Sequence, residues 1–362
     1  MIYNEPRGFA DALCGVEEGL GLGKGIGICL IGCGRAGMIH ARNFNSRVPG
    51  AYMEAVVDAL PEAANSAARE LAMHGKCHTD YHEILSNKAV DAVIVVVPTN
   101  LHRDIVVDCA KAGKHIFCEK PMAMNANECE EMIAACAKAG VVLQIGFMRR
   151  HDASFKTAKE QIDAGVIGDI ALVRSCTRGP SQPREWMYDI QKSNGILAEV
   201  NSHDIDCVRW FAGSDIATMH ITAGNYRNKE VAALYPYYYD NVVLSGALEN
   251  GVLYCIDGAA HVKYGYDAQV EVLGTRGVIR VARQEGNSVE TVTDTAGIIR
   301  PFVKSWINLF EDAYLAEDIH FAECLSSGAQ PCVTGRDGLM AVKTVDRGNA
   351  MIMEQFDSAH GK

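Results

Sequence analysis

No stretch of the 362-residue sequence is apolar for long enough to cross a bilayer. The first 25 residues also lack the basic segment and sustained apolar run of a secretory leader. A membrane-embedded or secreted protein is therefore not expected, and the chain reads as cytoplasmic. Clusters of lysine and arginine are absent, and the formal charge of −11 opposes nucleic acid and anionic membrane as partners. None of the thirteen cysteines falls in a CxxC pair, which argues against both a disulfide framework and a structural zinc site. Most of them are expected as small, reduced core residues. His74, His78 and His82 recur every four residues, but Gly75 and the run Thr79-Asp80-Tyr81 interrupt any helix that would align them. A surface loop entering a short helix is expected there, and no metal is assigned. Repeats and low-complexity segments are absent too. What remains is an ordinary globular composition, 48% apolar and 22% charged, in a chain long enough for two domains.

From residue 25 to 148, apolar strands alternate with helical segments, the pattern of an α/β Rossmann domain: a doubly wound parallel sheet covered on both faces. Strands are expected at residues 27–31, 53–58, 92–97, 115–118 and 141–146, with crossover helices at 105–112 and 126–139. Residues 1–24 read as an N-terminal extension. Beyond 148 the pattern changes to one helix (153–164) followed by strands at 170–177, 217–223, 241–249, 252–258, 268–273 and 278–281, with Glu249-Asn250-Gly251 as a hairpin turn. An α+β domain spanning 149–362 is expected, with a mostly antiparallel, open-faced sheet and C-terminal helices at 306–324 and 338–353. Such a sheet leaves one face uncovered, so a homo-oligomer formed through that face is expected.

The first strand runs directly into GCGRAG, Gly32 to Gly37. Three glycines at a strand-to-helix turn let backbone N–H groups approach a pyrophosphate, with Gly32, Gly34, Arg35, Ala36 and Gly37 around it. The second strand ends at Asp58, 21 residues beyond Gly37, where a carboxylate can accept hydrogen bonds from an adenosine ribose or cap the helix that starts near Pro61. Ala59 and Leu60 offer no guanidinium for a 2′-phosphate, which favours NAD over NADP.

In an open parallel sheet, ligands bind beyond the carboxyl ends of the strands. Pro98-Thr99-Asn100-Leu101-His102, Glu119-Lys120-Pro121 and Gly146-Phe147-Met148-Arg149-Arg150 follow three of them. Lys120 between Glu119 and Pro121 sits on a rigid element, with a cis peptide before Pro121 as one option and an ordinary surface salt bridge as the other reading. Glu199 and His203 are four residues apart, which on one helix places them on one face. That pair suits proton removal from an alcohol, although structural pairs of this kind are more common.

The ordered motifs GxGxxG, PTNLH, EKP, GFMRR and Gly195 with Glu199 and His203 resemble the Gfo/Idh/MocA oxidoreductases. Val272-Leu273-Gly274-Thr275-Arg276-Gly277 and Pro331 with Gly335 to Gly338 fit the same pattern, so the resemblance covers about residues 25 to 355. It implies hydride transfer from a secondary carbinol to NAD, with Lys120, His203 and Glu199 catalytic and either His203 or Lys120 taking the proton. It also implies that Pro98, Asn100 and His102 line the nicotinamide side, that Glu119 lies near the nicotinamide ribose, and that Arg149, Arg178 and Trp186 hold substrate. The run GFMRR-His151-Asp152 and the pair His203/Asp206 are similar to inositol dehydrogenases. Two departures stand out: Glu199 where those enzymes carry Asp, and a specialised loop (178–193) with the run Tyr235-Pro236-Tyr237-Tyr238-Tyr239. Tyrosines such as Tyr238 suit the apolar face of a sugar ring or a flat aglycone, or equally strand-edge packing. These departures resemble gut-bacterial glycoside 3-dehydrogenases, including those acting on C-glycosides. The implied substrate is a sugar, glycoside or polyol. Oxidation of the glucose 3-hydroxyl of a glycoside is the expected reaction, with myo-inositol 2-dehydrogenation as the alternative and an NAD-assisted glycosidase or a non-catalytic NAD-sensing regulator behind both.

Overall fold

Two six-stranded sheets form the frame of the protein in a computed structural model that describes residues 25–359 except 283, 284, 287, 288, 294 and 296. The expected extension at 1–24 lies outside the described residues. In the first sheet, β1 (Ile26–Ile31), β2 (Ala51–Val57), β3 (Cys77–His78), β4 (Ala92–Val95), β5 (His115–Glu119) and β6 (Leu143–Gly146) pair in the order β3-β2-β1-β4-β5-β6. Every pairing is parallel. Residues 28–31 of β1 and all of β4 are buried, as expected for strands with helices on both faces. The short β3 went unforeseen because two residues carry no periodicity to read; it contains His78, and His82 starts the short helix His82–Leu85.

The crossover helix Ala126–Ala139 has local reasons to begin and end where it does. The Asn125 side chain accepts from the Glu128 N–H, the Glu128 carboxylate accepts from the Met124 N–H, and Gly140 closes the helix at φ 68°. This is a reciprocal N-terminal cap and a left-handed glycine stop. The chain order reverses between β1 and β4, opening a crevice at the carboxyl ends of those strands.

The second sheet comprises β7 (Ile170–Gly179), β8 (His220–Gly224), β9 (Asn241–Ala247), β10 (Leu253–Ala260), β11 (Asp267–Gly274) and β12 (Val278–Val281), in the order β12-β11-β7-β10-β9-β8. Only β7 and β10 run parallel; the other four pairings are antiparallel. Alternate residues of β7 divide between its faces. Val173, Ser175 and Thr177 are buried, on the face where Ser175 and Thr177 bond Asp204 and Arg149. Arg174 and Arg178 point the other way, paired with Glu271 and with Asp257 and Asp267. That second face also exposes Val243, Leu253 and Leu273.

The C-terminal region differs from the expected single helix at 306–324. Phe310 leaves helical geometry at φ −115° and ψ 20°, so Trp306–Leu309 and Glu311–Ser327 are separate helices with the buried Phe310 ring between them. The last helix, Gly335–Ala359, packs against Ala126–Ala139 and ties the two halves together. Among the described residues no helix is long and apolar enough to cross a membrane.

Candidate active site

The glycine turn after β1 is built for close approach of a ligand. Gly32 has φ +103°, and a Cβ there would lie 2.4 Å from the Val96 carbonyl oxygen; one at Gly37 would lie 2.0 Å from that of Gly32. Gly34, by contrast, faces open space with nothing within 4 Å of a Cβ position. It is also the N-cap of the helix Arg35–Ser46 and supplies no side-chain cap. Free N–H groups and the positive end of the helix dipole therefore face a gap that suits a pyrophosphate. Asp58 stands beside this turn: one carboxylate oxygen accepts from the Cys33 N–H at 2.8 Å, the other from the Leu60 N–H at 2.9 Å. It thus fixes the glycine turn to the end of β2, while its Leu60 contact closes a local turn before the helix Pro61–Glu70, whose N-terminus has no side-chain cap. These residues fit NAD.

From the turn, a cavity of about 320 Å³ opens between the two halves. Arg35, Ala36, Glu119 and Lys120 line it from the nucleotide half, and Glu199 and His203 from the other. The Lys120–Pro121 peptide is cis, and the Lys120 ammonium donates to the Glu199 carbonyl oxygen at 2.9 Å. The ammonium and the imidazole therefore converge on one space, although 83 positions of sequence separate them.

The expected single helix carrying Glu199 and His203 is not formed. One helix ends at Glu199 and the next starts at Ser202, with Val200 at φ −110° between them. Both side chains still face the cavity, but the pair makes no hydrogen bond. Glu199 Oε1 and His203 Nδ1 have no partner among the described residues. Burial pushes the Glu199 pKa above its ordinary 4.5, against the pull of the Lys120 ammonium. Burial, then the positive charges of Lys120 and Arg149, hold His203 well below 6.5. A neutral imidazole and a carboxyl poised above the usual range are therefore available at neutral pH.

Several expected ligand-holding residues lie elsewhere. Arg149 is 1% exposed and donates to Asp204 at 3.0 Å and to Thr177 at 2.6 Å; it braces the second domain and does not line the cavity. Arg178 falls on the opposite face of β7 from Thr177, because strand side chains alternate, and pairs with Asp257. His102 lies behind the cavity with its ring nitrogens 2.9 Å from the Val97 and Pro121 carbonyl oxygens, clamping two loops together. Pro98 and Asn100 are exposed on the turn after β4, outside the cavity lining. Trp186 and Tyr238 do line it.

The sequence did not disclose the remaining wall. Ser181, Gln182, Arg184 and Met187 come from the loop already marked as unusual, while Tyr266, Trp306 and Tyr314 come from distant segments with no local signal. Of the tyrosine run, Tyr238 stacks edge-on against Tyr188 at 4.9 Å. Tyr239 is structural: it accepts from the Leu197 N–H and donates to Asn349.

Two family models match the chain. Residues 26–147 match the oxidoreductase family, NAD-binding Rossmann fold, and residues 159–351 match the oxidoreductase family, C-terminal alpha/beta domain, both of the Gfo/Idh/MocA group. A myo-inositol 2-dehydrogenase of Thermotoga maritima is 32% identical over 315 residues, 87% of this chain and 92% of the relative. A scyllo-inositol 2-dehydrogenase (NAD(+)) of Bacillus subtilis is 33% identical over 308 residues, 85% and 88% of the two chains. The crystal structure of scyllo-inositol dehydrogenase from Lactobacillus casei with bound NAD(H) and scyllo-inositol superposes with a TM-score of 0.81 at 28% identity, covering 89% of this chain and 95% of that one.

Proposed function

We infer that this chain, which belongs to the Gfo/Idh/MocA oxidoreductase family, oxidises one secondary hydroxyl of a cyclic polyol of the inositol class. It is an NAD-dependent oxidoreductase acting on CH–OH groups; the inositol assignment is our reading. The observation that carries it is the convergence of Lys120, Glu199 and His203 on one cavity beside the glycine turn. NAD, when bound, accepts the hydride. In this reading the neutral His203 imidazole takes the hydroxyl proton. The Lys120 ammonium faces the oxygen as negative charge develops on it, and Glu199 offsets the positive charge gathered on the other two.

A second reading is favoured by the outer wall. Pro183, Trp186, Met187 and Tyr238 present an apolar and aromatic surface that a bare inositol ring, hydroxylated all round, has little use for. The same surface suits a sugar carrying a flat aglycone, oxidised at its 3-hydroxyl. The test is NADH formation at 340 nm with myo-inositol, scyllo-inositol and aryl glucosides as substrates. Reduction of NAD by an inositol supports the first reading, and reduction only by glucosides replaces it with the second. Aglycone release without NADH, or NAD binding with no turnover across the panel, overturns both. We also propose that the exposed face of the second sheet is covered by another copy of this chain, which sedimentation velocity tests directly.

The pH profile follows from the two shifted groups. A carboxylate whose folded pKa is raised loses its charge as pH falls through that raised value, whereas His203 stays neutral to lower pH. The acid limb of kcat/KM is expected above 4.5 and absent in Glu199→Gln. An unaltered limb in that variant removes Glu199 from the proton chemistry.

A further inference from the structure

Behind Glu119, and outside the cavity, lies a buried chain of ionisable groups that the reaction scheme does not use. Glu119 accepts the Lys120 N–H at 2.8 Å with one oxygen, and its other oxygen lies 3.3 Å from His40 Nε2. His40 Nδ1 is 2.6 Å from one Asp318 oxygen, and the Asn43 amide donates to the other at 2.8 Å. His40 and Asp318 have no exposed surface. Tyr314 packs edge-on against the imidazole at 5.4 Å, Phe117 lies at 4.8 Å, and the buried carboxyl of Glu317 has no partner among the described residues. Burial disfavours a charged imidazole, but the Asp318 carboxylate, assisted by Glu119, more than reverses that and holds His40 well above its ordinary pKa. The result is a carboxylate–imidazolium–carboxylate series. It joins the helix Arg35–Ser46, the end of β5 and the helix Glu311–Ser327.

We propose that His40, clamped by Asp318, is a positioning residue for the dehydrogenase: it holds the Glu119 carboxyl in place at the cavity wall, where that group favours oxidised, cationic nicotinamide over its neutral reduced form. Without His40, the inner oxygen of Glu119 loses its partner, with the buried carboxyls of Asp318 and Glu317 nearby, and the group is free to turn from its place. Without the Asp318 carboxylate, the imidazole loses most of what opposes its desolvation and becomes neutral. Either change loosens the hold on the Glu119 carboxyl at the cavity wall. The proposal needs the chain to bind NAD and does not depend on which alcohol is oxidised.

The test measures dissociation constants of NAD+ and of NADH by quenching of tryptophan fluorescence, since Trp186 and Trp306 line the cavity. It uses the full chain, His40→Gln, Asp318→Asn, Glu119→Gln and the His40/Glu119 double variant. His40→Gln and Asp318→Asn are expected to weaken NAD+ relative to NADH by about tenfold. In the Glu119→Gln background, His40→Gln is expected to change the ratio no further, because its effect passes through that carboxylate. A merely structural role would weaken both forms alike. A ratio unchanged in both single variants, or an effect of His40→Gln that persists in full without the Glu119 carboxylate, overturns the proposal. Should His40→Gln fail to fold, Asp318→Asn, which preserves side-chain shape, carries the same comparison of ratios.

Discussion

Lys120→Ala should lower kcat by about two orders of magnitude or more while leaving NAD binding close to that of the unaltered protein, because a positioned donor facing charge that develops in the transition state typically contributes that much. The geometry explains why the two effects separate. Only the ammonium reaches across to the Glu199 carbonyl; the Lys120 N–H, which bonds Glu119, is backbone and survives the substitution. The glycine turn at Gly32, Gly34 and Gly37 lies on another loop. Stopped-flow turnover beside a fluorescence titration with NAD checks both halves. Unchanged turnover would dismiss Lys120 from the chemistry, and a parallel collapse of NAD affinity would make it a cofactor anchor instead.

The second large effect concerns stability. Asp204→Ala should destabilise the fold by about 3–5 kcal/mol, because it leaves the Arg149 guanidinium charged and buried without a counter-ion. Asp204 also accepts from the Ser175 hydroxyl at 2.5 Å and from the Asn201 amide at 2.8 Å, so three donors lose their acceptor together. Urea unfolding measures the loss. Replacing the pair as Arg149→Met with Asp204→Leu should recover part of it, since a packed apolar pair avoids the desolvation penalty. A loss below about 1 kcal/mol in Asp204→Ala would show that water reaches the pair. It would also reopen a ligand role for Arg149.

Arg149 illustrates what sequence reading can confuse. An arginine just beyond a parallel strand sits where ligands bind, and nothing in GFMRR distinguishes one that faces the cavity from one turned into the core. That choice depends on Asp204, 55 residues away. Arg178 went astray for a smaller reason: a one-residue difference in strand register reverses the face, so Thr177 meets the cavity and Arg178 meets Asp257. Glu199 and His203 both line the cavity, through two short helices meeting at Val200 and not through one.

The parallel sheet, the glycine turn, Asp58 beside it, and Lys120 at the end of β5 were determined locally. Each rests on side-chain periodicity, on the space a Cβ would need, or on where a strand must stop, and all of these act within a few residues. The shape of the substrate wall was decided only by the tertiary structure. Trp306 and Tyr314 reach the cavity because the C-terminal helices pack back onto the first domain, and Tyr266 because it stands just before the start of β11. The same packing sets Asp318 against His40 across 278 positions of chain. Contacts of that span are chosen by how whole surfaces fit together, a property that no short window of sequence contains.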